Sequence, residues 1–132
     1  MERLRVILAE NDADMRLRLC GLLDQVCDVV AALADGGLVV EKAEELHPDL
    51  VLLDISMPGM SGFAVARALH RSMPSVPILF VTQHADRAYV EEAFRSGVTG
   101  YVLKTNLAGE LGLAVQQVHS GASYLSPCLN AK

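Results

Sequence analysis

A chain of 132 residues, 52% hydrophobic and 20% charged, is long enough for one domain with a sizeable core and too apolar to stay disordered. A formal net charge of −5 argues against a free-standing nucleic-acid binder, because phosphate backbones need facing Lys and Arg. No apolar run approaches the ~20 residues of a membrane span, and MERLRVILAEND lacks a signal-peptide layout, so the expected setting is the cytoplasm, without a membrane partner.

The first element is a short apolar strand, RVIL (5–8), which runs into Glu10, Asn11 and Asp12. Asp12 is placed to cap a helix with the stripe Met15, Leu19, Leu22 and Leu23. CDVVAAL (27–33) has strand length and composition, and Val39, Ala43 and Leu46 mark a second helix. DLVLL (49–53) is a strand that ends in Asp54, and the following loop, ISMPGMSG, is stiffened by Pro58 and loosened by Gly59 and Gly62. Phe63, Ala66 and Leu69 give a third helix, and VPILFVT (76–82) a strand ending in Thr82. Asp86 is placed to cap a fourth helix with Val90, Ala93 and Phe94, and Gly97 to close it. GYVL (100–103) is the fifth strand, followed by Lys104 and by a helix with Leu111, Ala114, Val115 and Val118.

Cys20, Cys27 and Cys128 show no C-x-x-C spacing and read as free thiols of a reducing compartment. His47, His70 and His119 read as surface residues.

Strict alternation of wholly apolar strands with amphipathic helices predicts an α/β fold. The expected form is a doubly wound five-stranded parallel sheet of order 2-1-3-4-5 with five helices, flavodoxin-like. Its ligand crevice lies where the strand order reverses, at the carboxyl ends of strands 1 and 3. Glu10, Asn11, Asp12, Asp54, Thr82 and Lys104 then converge on one edge of the sheet. Taken singly, each has an ordinary reading as a cap, a loop polar group or a solvated lysine. Taken together, they suit one phosphoryl site. Glu10 and Asp54 repel at close range. Lys104 and a magnesium ion, which favours carboxylates, water and phosphate oxygens, relieve that repulsion. Asp54 is then the nucleophile that forms an acyl phosphate, with Thr82 donating its hydroxyl to the transferred group.

ILAEND, LVLLDISMPGMSG, PILFVT and GYVLK carry a resemblance to the receiver domain of two-component response regulators, over residues 4 to 120. The resemblance implies that Asp54 is the phospho-acceptor, that Lys104 contacts the phosphoryl group, and that Thr82 and Tyr101 are the switch pair. It implies a magnesium site made by Glu10, Asp54 and the backbone carbonyl of Ser56, and a sensor histidine kinase as phosphoryl donor. The domain accepts a phosphoryl group and adds or loses it by itself, but it is no conventional enzyme. Asn11 stands where the family has a second carboxylate, which implies weaker magnesium binding. Gln83 stands where a small residue is common and crowds phosphoryl access. His84 occupies a position that modulates dephosphorylation, either beside the attacking water or merely solvated. Thr105 replaces a frequent proline, so a cis bond there lacks proline's reduced penalty.

AYVEEAFRSGVTGYVLK and SGASYLSP are similar to receivers of the NarL/LuxR type, in which a helix-turn-helix domain follows. Residues 1–120 are therefore expected to be the receiver, and 121–132 the start of a linker to a DNA-binding domain absent from this chain. The implied output is transcription, with homodimerisation on phosphorylation. Two other classes compete with this reading. A phosphatase of the haloacid-dehalogenase kind needs an acid where Ser56 stands. A receiver-like interaction module independent of phosphorylation is favoured by Asn11 and Gln83.

Overall fold

The computed structural model describes residues 3–129; residues 1–2, and 130–132 of the expected linker, lie outside the described residues. The elements in order are β1 (Leu4–Ala9), α1 (Ala13–Leu23), β2 (Cys27–Leu33), α2 (Val39–Leu46), β3 (Leu50–Leu53), α3 (Gly62–Ser72), β4 (Ile78–Thr82), α4 (Arg87–Arg95), β5 (Gly100–Leu103), α5 (Leu107–His119) and β6 (Tyr124–Leu125). Single 3-10 turns cover Gly36–Leu38, Lys104–Asn106 and Pro127–Leu129.

The strands form one parallel sheet in the order β2-β1-β3-β4-β5-β6. The expected order 2-1-3-4-5 is present, with one correction: the sheet has six strands, because Tyr124–Leu125 pairs with β5. Two residues are too few to show an apolar period, so the sixth strand left no mark in the sequence pattern.

The period of two along each strand sorts the core into two layers. Val6 and Leu8 of β1, Leu50 and Leu52 of β3, and Leu79 and Val81 of β4 face α1 and α5, meeting Leu19, Leu23, Leu111, Ala114, Val115 and Val118. Ile7, Ala9, Val51, Leu53, Ile78 and Phe80 face the other side, meeting Val39, Ala43, Val65, Ala66, Leu69 and Ala93 of α2, α3 and α4. All of these side chains are essentially removed from water, at about 1.5–3 kcal/mol of stabilisation for each large aliphatic side chain.

The helix ends follow local chemistry. Asp12 accepts from the Met15 N–H at 2.9 Å and Ser61 from the Ala64 N–H at 3.3 Å. Asp86 sits at the expected N-cap of α4 without a side-chain hydrogen bond, so its capping is positional only. Gly97 ends α4 at a φ of 99°, a conformation with no steric cost for glycine. The described peptide bonds are all trans, Lys104–Thr105 included. The three cysteines are free thiols, and burial raises those of Cys20 and Cys27 above the ordinary range. No described helix is long and apolar enough to cross a membrane.

Candidate functional site

The parallel ladder brings the carboxyl ends of β1, β3, β4 and β5 to one edge. The Asp54 N–H donates to Ala9 O at 3.1 Å and the Glu10 N–H to Leu33 O at 2.9 Å. Both acids are therefore fixed by backbone bonding before their side chains meet anything. The loop after Asp54 returns at once: the Gly62 N–H donates to Ile55 O at 2.7 Å. That close approach needs glycine, since a Cβ on residue 62 would lie 2.3 Å from Asp54 O.

Glu10 and Asp54 are 2% and 7% exposed. Two buried carboxylates are costly unless they are paired and hydrogen-bonded. The Lys104 ammonium lies between them, 2.8 Å from Glu10 Oε1 and 3.1 Å from Asp54 Oδ2. Backbone donors take the remaining oxygens: the Ile55 N–H reaches Asp54 Oδ1 at 2.7 Å, and the Asp12 N–H reaches Glu10 Oε2 at 3.0 Å. Burial alone pulls the Lys104 pKa down. The close contact with the Glu10 carboxylate, with the charge and hydrogen bond of Asp54, outweighs burial and leaves the pKa raised.

Glu10 Oε1 is buried and, despite its short contact with the ammonium, accepts no well-directed hydrogen bond. An acidic oxygen with open lone pairs beside a second carboxylate fits a hard divalent cation. No described group of three or more His, Cys, Asp or Glu side chains gathers as a metal site. Glu10 and Asp54 are the two buried carboxylates at this edge, and exposed Asn11 beside them is neutral.

A second set of contacts centres on His84. Its N–H donates to Thr82 Oγ1 at 3.2 Å, and its carbonyl accepts from the Tyr101 hydroxyl at 2.7 Å. Its Nε2 meets Ser56 Oγ at 3.0 Å, and its ring stacks on Tyr89 with centroids 4.4 Å apart. Thr82 and Tyr101 are fully buried. Burial, followed by the nearby Asp86, Tyr89 and Asp54, pushes the Tyr101 phenol far above its ordinary range. Phe80 joins Tyr101 edge-on at 6.3 Å and Phe63 at 5.7 Å, tying β4 and β5 to α3.

The structure thus brings Glu10, Asp54 and Lys104 together, and separately Thr82, Tyr101, Ser56 and His84. Asn11 and Gln83 are exposed and make no side-chain hydrogen bond within the described residues. Sequence reasoning missed Arg16, whose guanidinium donates to the carbonyls of Glu10 at 2.8 Å and Asn11 at 3.3 Å. It also missed Tyr89 as the seat of the His84 ring. Neither carries a motif, because both depend on where a helix face meets a loop.

A doubly wound parallel sheet with an acid, an aspartate and a lysine at its strand tips defines a receiver-type signalling domain. Residues 6–116 match the family model described as response regulator receiver domain, and the chain belongs to that family, in its NarL/LuxR type. It is 37% identical over 131 residues to the transcriptional regulatory protein LnrK of Bacillus subtilis (strain 168), a match covering 98% of this chain and 60% of that protein. It is 34% identical over 125 residues to the oxygen regulatory protein NreC of Staphylococcus haemolyticus (strain JCSC1435), covering 92% of this chain and 58% of that one. A two-component response regulator of the LuxR family from Aurantimonas sp. SI85-9A1 superposes with a TM-score of 0.93 at 28% identity, covering 98% of this chain and 94% of that chain. The chain spans about 60% of the length of the curated relatives it matches.

Proposed function

We propose that this chain is a phosphorylation-dependent switch whose acceptor is Asp54. The observation that carries the reading is the Lys104 ammonium held between Glu10 and Asp54 at 2.8 and 3.1 Å. A carboxylate oxygen of Asp54 attacks phosphorus, and the bond from phosphorus to the donor's leaving atom breaks with its electron pair. An acyl phosphate remains on Asp54. Lys104 stays protonated throughout and faces the negative charge gathering on the phosphoryl oxygens. Glu10, Asp54 and the Ser56 carbonyl are the residues that would hold magnesium, with Asn11 as a neutral neighbour. A bound magnesium ion supplies charge neutralisation at the phosphoryl oxygens. Two carboxylates and an amide in place of three carboxylates weaken that binding.

Thr82 and Tyr101 are the switch pair, joined through the backbone of His84. The Ser56–His84 contact lies across the loop next to Asp54, so His84 and exposed Gln83 modulate access and dephosphorylation. A sensor histidine kinase is the donor. Homodimerisation on phosphorylation, and control of transcription through a DNA-binding domain outside this chain, complete the reading. The transcriptional role of the relative LnrK supports that output.

The test is incubation with acetyl phosphate and magnesium followed by intact mass. One added phosphoryl group in the natural chain, absent from Asp54→Ala, is the expected result. No gain at millimolar magnesium overturns the reading in favour of an interaction module independent of phosphorylation.

A further inference from the structure

The segment after α5 folds back onto the switch strand. Tyr124 pairs with Gly100 and Leu125 with Tyr101 along the free edge of β5. The Ser126 N–H donates to Tyr101 O at 3.0 Å, while Ser126 Oγ accepts from the Leu103 N–H at 2.9 Å. Ser126 therefore grips the two backbone groups on either side of Val102, between the buried Tyr101 and Lys104. The same hydroxyl donates to Glu110 Oε1 at 2.6 Å, and the Tyr124 hydroxyl reaches that oxygen at 2.9 Å. Glu110 is 6% exposed and Ser126 fully buried. Leu125 and Leu129 pack against the core layer that holds Tyr101 and Leu103.

A carboxylate leaves water only where hydrogen bonds replace its hydration. Both side-chain donors that Glu110 has among the described residues come from positions 124 and 126. The buried acid of α5 is thus satisfied by the docked segment, and the segment is held by the buried acid. Neither group belongs to the Asp54 cluster, and the functional reading leaves both without a role.

We infer that Tyr124–Leu129 is a latch that reads the state of β5 and passes it to the chain beyond α5. The inference rests on the reading of Asp54 as phospho-acceptor. A backbone shift of β5 that accompanies phosphorylation moves Tyr101 O or the Leu103 N–H, the two groups Ser126 holds. Those bonds then loosen or tighten, and Glu110 transfers the change to α5. Such coupling is reciprocal, so loss of the Ser126 contact changes affinity at Asp54 by the same factor that a ligand at Asp54 changes the latch.

The experiment uses the 132-residue chain with beryllium trifluoride and magnesium as a mimic of the acyl phosphate. Fluorine NMR reports the adduct and hydrogen exchange reports the amides of Ser126 and Leu103. The expected result is slow exchange of both amides in the free chain and a change of at least about fivefold in the adduct, the lower end of typical allosteric coupling. Ser126→Ala should free the Leu103 amide and shift affinity for the mimic by a similar factor. Glu110→Gln, which keeps an acceptor oxygen without the charge, serves if Ser126→Ala does not fold, as judged from exchange in β1 and β3. An adduct that leaves both amides unchanged, with variant affinity equal to the natural chain's, overturns the latch alone. Absence of any adduct in the natural chain overturns the functional reading and the latch with it.

Discussion

Glu10, Asp54 and Lys104 carry two negative charges against one positive, and that imbalance sets what each substitution does. Lys104→Met leaves two buried acids facing each other without a cation, a loss of about 3 kcal/mol. Asp54→Ala leaves Lys104 facing Glu10 alone, a balanced pair, and should cost clearly less. Urea unfolding of both variants checks the ranking, and equal losses would refute it. The Lys104 pKa is raised in the folded state above its ordinary 10.5. Its contribution is therefore complete below that value and lost as pH climbs through the folded one. The stability gap between natural chain and Lys104→Met should be constant through neutral pH and close only in strong alkali. Tyr124 obeys the same sign. Burial first, then the hydrogen bond and charge of Glu110, push its phenol from 10.0 up to about 12. Folding then disfavours its ionisation, so stability should fall between pH about 10 and about 12. Tyr124→Phe should remove that component, as read by the difference in urea midpoints across the interval.

Elements hold the site by how closely their ends approach. The first residue of α3, Gly62, has no room for a Cβ: it would lie 2.3 Å from Asp54 O and 2.7 Å from Ile55 Cα, both backbone atoms. Gly62→Ala must push α3 away from the tip of β3, at about 1–3 kcal/mol as for other overpacked positions. It should also slow acetyl phosphate labelling of Asp54, a pairing that thermal melts and intact mass can check together. The spacing around Asp54 shows the glycine in the sequence but not this contact. The same division holds elsewhere. The first five strands were legible because each is an apolar run with helical stripes between. The meeting of Glu10, Asp54 and Lys104 followed from strand order alone. β6 was illegible because its pairing depends on Glu110 and on the free edge of β5, neither of which marks Tyr124–Leu125 in advance. The hub at His84 was illegible because its contacts come from its backbone and a ring stacked on α4. Asp86 stands where a cap belongs and makes no capping bond, which position in a sequence cannot distinguish.

At the scale of the molecule, one sheet serves two core layers. Leu52 faces α1 and α5, and Leu53, its neighbour in β3, faces the opposite layer. Both are fully buried, so replacing either by Ala should cost about 2–5 kcal/mol. The layers have separate helices but share every central strand, and neither keeps its sheet if the other is lost. Unfolding should therefore be a single transition, in which far-UV circular dichroism and tyrosine fluorescence coincide. Tyr124 lies in the layer of Leu52 and Tyr101 in that of Leu53, and the chain has no tryptophan to mask them. Leu52→Ala and Leu53→Ala should each lower that one transition for both probes. Two separated transitions in either variant would show that a layer unfolds alone. Because the two residues are neighbours in β3, their losses are coupled through that strand and should depart from a simple sum in the double variant. The sum, about 4–10 kcal/mol, is comparable to the whole stability of a domain this size, about 5–15 kcal/mol. The double variant should therefore lie at the edge of folding, whereas each single variant remains folded enough to bind beryllium trifluoride at Asp54.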